Sequence, residues 1–106
     1  MEKVEKLNGA DWLGVEEHVN ATIKAFNEDN PNEEPIKVIC SNTTKVIKET
    51  LATLKDKGTL DLDQIVEHAE KKGLVLEDEV VWDYMYDAMK STKIISGDDH
   101  HNIQLI

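Results

Sequence analysis

The chain contains no arginine. Its 12 basic residues are all lysines, set against 22 acids, for a formal charge of −10. With a cationic set this small and this outnumbered, generic attraction to polyphosphate is not expected. Cysteine occurs once, at Cys40, so no internal disulfide is possible and the fold does not depend on an oxidising compartment; a cytoplasmic location is expected. No apolar run approaches the roughly 20 residues of a membrane span, and the opening Met-Glu-Lys-Val-Glu-Lys lacks the apolar stretch of a signal peptide. The sequons at Asn20 and Asn42 are then expected to carry no glycan. There are only five glycines and no glycine-rich phosphate loop, nucleophile elbow or paired zinc-ligand motif. No cofactor, metal or catalytic residue is therefore expected, and the chain reads as a non-enzyme.

A length of 106 residues suits one domain with one core. Its acid is unevenly spread. Residues 1–58 carry 11 acids and 8 lysines, whereas residues 59–106 carry 11 acids and 4 lysines, so the C-terminal half is the electronegative one.

Between Asp11 and Asn27, Trp12, Val15, Val19, Ile23 and Phe26 recur at steps of three and four, the pattern of an amphipathic helix capped by Asn8 or Asp11. The stripe is read as the lid of the core, with pairing to a second copy, and so a homodimer, as the alternative. Asn27 to Pro35, with four acids and two prolines, reads as a solvated loop. Residues 36–40, Ile-Lys-Val-Ile-Cys, are β-branched and alternating, which predicts a short strand.

Ser41 or Asn42 is expected to cap a second helix with Ile47, Leu51 and Leu54 on its buried face. Asp61-Leu62-Asp63-Gln64 forms a capping box for a third helix that stops at Lys71-Lys72-Gly73. A fourth runs from about Glu77 to Lys90 with Val81, Met85 and Ala88 inward and Trp82 and Met89 beside them. Lys93 to Ser96 and His101 to Ile106, around Gly97-Asp98-Asp99, predict a terminal hairpin.

This order over residues 42–106, helix, extended Thr59-Leu60, two helices and a hairpin, resembles that of winged helix-turn-helix domains. The expected fold is α+β, mostly helical: a winged-helix-like core over 36–106, preceded by an N-terminal helix and acidic loop over 11–35. In such domains the second helix of the helix-turn-helix enters the major groove and the wing touches phosphate or the minor groove. This chain departs from that pattern. With Val81, Met85 and Ala88 inside, the outward positions are Glu79, Asp83, Tyr86, Asp87 and Lys90, and the wing tip carries Asp98-Asp99. Each like charge held near phosphate adds repulsion of about 1 kcal/mol at physiological salt, so direct nucleic-acid reading by this face is not expected.

The surface is read instead as a protein-binding one: Glu79, Trp82, Asp83, Tyr86 and Asp87, with Asp98 on the wing, facing a partner with a basic surface. The chain would then be a small adaptor or regulator in transcription or replication. Two alternatives stand beside it. One is an acidic inhibitor from a phage or other mobile element, which presents carboxylates where phosphates would lie in a host nucleic-acid enzyme. The other is a DNA-binding regulator using Lys45, Lys48, Lys55 and Lys57.

Two smaller features complete the reading. A strand, Cys40 and a helix N-terminus resemble the phosphate-binding cysteine loops of low-molecular-weight phosphatases and cysteine-phosphorylated sugar-transport domains, but the required glycines and arginine are missing from residues 40–45. A buried structural cysteine is expected. Asp98, Asp99, His100 and His101 gather four potential metal ligands at the turn, yet neighbouring strand residues point apart, so a hydrated turn is expected. His18 and His68 fall on polar helix edges without a catalytic partner in sequence.

Overall fold

The computed structural model describes residues 12–97 and 99–106. The helix caps expected at Asn8 and Asp11, and the expected hairpin-tip residue Asp98, lie outside that range. Helix α1 runs Trp12–Asp29, α2 Ser41–Leu54, α3 Leu62–Lys71 and α4 Val80–Ser91, with a 3₁₀ turn at Lys55–Lys57. Strands β1 (Thr59–Leu60), β2 (Ile95–Ser96) and β3 (Ile103–Leu105) form one antiparallel sheet in the order β1-β3-β2. The fold is α+β and mostly helical. No helix among the described residues is long and apolar enough to cross a membrane.

The α1 stripe folds as its spacing requires. Val15, Val19 and Ile23 are fully buried, with Trp12 and Phe26 half-buried against the same core, and the helix packs chiefly on α4 and then on α2. Each fully buried aliphatic side chain stabilises the fold by about 2 kcal/mol. The stripe is thus spent inside the chain, as a lid.

The strand expected at 36–40 does not form. Burial there has a period of three, with Ile36 and Ile39 inside and Lys37 and Val38 outside, instead of the period of two that a strand needs. Two α1 side chains stand in for a neighbouring strand. Asn27 donates through Nδ2 to the Ile36 carbonyl (3.0 Å) and accepts the Ile36 N–H at Oδ1 (2.9 Å). Asn20, two turns earlier, does the same to Ile39 at 3.0 and 2.8 Å. Both amides satisfy backbone groups that a ladder would otherwise have to pair.

The N-cap of α2 falls one residue before the expected caps. Cys40 takes the N-cap position without a side-chain cap bond, and Ser41 instead donates to Glu16 Oε1 at 3.2 Å. The α3 ends follow their sequence signals. Asp61 accepts from the Asp63 N–H while Gln64 Oε1 accepts the Asp61 N–H, a complete capping box. At the other end Gly73 N–H bonds Glu70 O and Leu74 N–H bonds Ala69 O, the paired bonds of a Schellman stop. Helix α4 starts three residues later than its periodicity predicts, because Asp78 Oδ1 accepts the Val80 N–H and holds the preceding residues in a turn.

In the sheet, β1 pairs Thr59 with Gln104 and Leu60 with Ile103, and β2 pairs Ile95 with Leu105 and Ser96 with Gln104. Leu60, Ile95, Ile103 and Leu105 therefore all face the core.

Candidate functional site: the outer face of α4 and the terminal hairpin

Six of the twelve α4 residues are buried: Val81, Trp82, Met85, Tyr86, Ala88 and Met89. Two covers explain so broad an inner face. Helix α1 packs along α4, and the loop before β3 places the His100 ring edge-on to Tyr86 at 4.4 Å between centroids. Lys90 Nζ sits over the same tyrosine ring at 5.3 Å.

This corrects the expected surface. Trp82 is 6% exposed and Tyr86 5%, so both aromatics belong to the core and neither offers an anchor to a partner. Within the sequence, Trp82, Tyr86 and Met89 already form a second apolar row at steps of four and three. Reading one row as core and the other as surface split a single wide face. Glu79, Asp83 and Asp87 remain outward and exposed, aligned at four-residue spacing. The aromatic that shares their side is Tyr84, half-buried beside the half-buried Val80 one turn before it.

The loop between β2 and β3 is fastened at two points. His100 Nε2 lies 3.7 Å from Asp83 Oδ1, and its carbonyl accepts the Leu62 N–H at 2.8 Å. His101 turns the other way, with Nδ1 2.8 Å from Asp61 Oδ2 and its N–H bonded to Asp99 Oδ1 at 2.8 Å. The two imidazoles thus part to different helices, and no group of three metal-ligating side chains occurs among the described residues.

The Asp61–His101 pair makes stability depend on pH. Its hydrogen bond, reinforced by the carboxylate charge, raises His101 above the ordinary 6.5. The same bond, with the Asp63 N–H, lowers Asp61 below the ordinary 3.8. For His101 the contribution is complete below 6.5 and is lost as pH rises through the raised value; for Asp61 it is complete above 3.8 and is lost as pH falls through the lowered value. A double-mutant cycle with Asp61→Asn and His101→Gln will therefore show its largest coupling between those two limits. Coupling that stays constant as pH rises past the raised His101 value contradicts the assignment.

Cys40 is exposed, against the expectation of a buried structural thiol. The backbone N–H of Thr43, then that of Asn42, hold its pKa below the ordinary 9.0, partly opposed by desolvation and by Glu16. Its alkylation rate will rise to half-maximum at a pH below 9.0, measurable with iodoacetamide across a pH series. A midpoint at or above that value would show that the helix N-terminus does not favour the thiolate.

Of the α2-side lysines, Lys45 and Lys57 are exposed and Lys48 and Lys55 half-buried. Comparisons of the chain with protein-family models, with curated proteins and with solved structures find no match.

Proposed function

We propose that the protein is a small, non-enzymatic, intracellular adaptor or regulator of winged-helix type, acting by contact with a basic protein surface in transcription or replication. The winged-helix reading is supported by β1, which arises between α2 and α3 and pairs with the second strand of the terminal hairpin. The observation that carries the functional reading is the row Glu79, Asp83 and Asp87, exposed along the helix that would otherwise read DNA. Opposite charge would steer the partner, and the half-buried Tyr84 and Val80 beside the row would supply apolar contact.

The test is a pull-down from nuclease-treated, host-like lysate with the wild type and an Asp83→Lys, Asp87→Lys double variant, read by mass spectrometry. A partner held by the wild type and lost by the variant supports the surface, and its capture should weaken as salt rises. Equal capture by both sinks it. The nucleic-acid-mimic reading uses the same carboxylates, and it predicts displacement of the partner by duplex DNA, whereas an adaptor binds alongside it. Binding of duplex at low salt by the chain alone would favour the lysine-based alternative instead.

A further inference from the structure

A groove of about 360 Å³ runs between the segment Glu34–Cys40 and the connection Val75–Val81. Its walls carry two of the most exposed large apolar side chains among the described residues, Val38 at 63% and Val75 at 72%, with Leu76 half-buried between them and the core. Exposed apolar groups are unremarkable singly, but here two of them face one hollow. Its acids are Glu34, Glu77 and Asp78, while its one lysine, Lys37, already pairs with Glu77 at 3.1 Å. Past the Val38 crest, a second hollow against α1 adds Glu16, Glu17 and Glu28 against Lys24.

The backbone completes the picture. The asparagine clamps turn the polar groups of Ile36 and Ile39 inward, and the N–H and C=O of Lys37 and Val38 bond nothing else in the described chain. An apolar floor, an acidic rim and free main-chain donors and acceptors at an extended edge match one kind of occupant. We propose that this groove binds an extended, lysine- or arginine-rich segment of a partner protein, whose apolar side chain packs against Val38 and Val75. Only Val81 is common to the groove and α4, and occupancy of the groove is independent of whether the Glu79, Asp83 and Asp87 row binds anything.

The test uses three short capped peptides on the full chain: alternating lysine–valine, alternating lysine–serine of the same charge, and alternating glutamate–valine. The lysine–valine peptide should shift backbone amide resonances at residues 36–40 and 75–78 and slow alkylation of Cys40, which lines the groove. The other two should do neither. Val75→Ser, an exposed change that leaves the core intact, should weaken binding about tenfold, equivalent to about 1.4 kcal/mol of lost apolar contact. Glu34→Gln with Glu77→Gln should also weaken it and flatten its salt dependence. Equal binding of the lysine–serine peptide, shifts confined to other residues, undiminished affinity in Val75→Ser, or no binding by any peptide would each overturn the proposal.

Discussion

The double variant Asn20→Ala, Asn27→Ala will lose about 4 kcal/mol of folding stability in urea titrations, out of the 5–15 kcal/mol typical of a domain. Four hydrogen bonds disappear together, each worth about 1 kcal/mol net, and the Ile36 and Ile39 backbone groups are left with no partner in the chain. Neither asparagine contributes apolar burial on the scale of Ile23, so the loss should come almost wholly from polar satisfaction. Asn27→Asp isolates the donor: the acceptor for the Ile36 N–H survives, but the group facing the Ile36 carbonyl becomes an oxygen. This variant should fall between wild type and Asn27→Ala or below both, according to how far the carboxylate can turn away. A double variant that loses less than about 1 kcal/mol would mean that water replaces the amides without cost.

The second large effect lies in the terminal hairpin. Gly97 has φ +140°, in the region that side chains avoid, and a Cβ built there would overlap the Asn102 backbone oxygen across the hairpin. Gly97→Ala should cost about 3 kcal/mol, from conformational strain together with displacement of the opposite strand. Gly73 is the control, with Gly58 as a second open position. Their φ angles are also positive, at 96° and 80°, but nothing lies within 4 Å of the added carbon. Alanine at Gly73 should cost about 1 kcal/mol, the conformational part alone, and more at Gly58, whose ψ of −97° lies outside the left-handed helical region. If Gly97→Ala proves no worse than Gly73→Ala, the hairpin relaxes around the methyl group and its geometry is softer than its register implies.

Much of this architecture was legible from local signals. The capping box at Asp61 to Gln64 and the stop at Gly73 operate within one turn of helix, and both form where their residues stand. The α1 stripe and the terminal hairpin likewise declare themselves by period. What stayed hidden depended on partners distant in sequence. The 36–40 segment has strand composition but no strand beside it, and nothing in its own five residues announces asparagines on another element. The row Trp82, Tyr86 and Met89 was visible as a second apolar stripe, but what covers it, α1 and His100 closing over α4 from two directions, was not. The acidic row was easier, since a charged residue at four-residue spacing rarely has anywhere to go but outward.

The two asparagine clamps also bear on the order in which the chain acquires its shape. Asn27 reaches a residue nine positions away and Asn20 one nineteen away. They nest, the shorter loop inside the longer, so closing the inner one shortens the search for the outer. Once α1 has formed, its tether can zip back along it without waiting for the sheet, whose β1–β3 pairing joins residues from opposite ends of the C-terminal half. Residues 12–39 would then arrive at the growing core as one preassembled piece, and variants at Asn27 should slow folding more than they hasten unfolding.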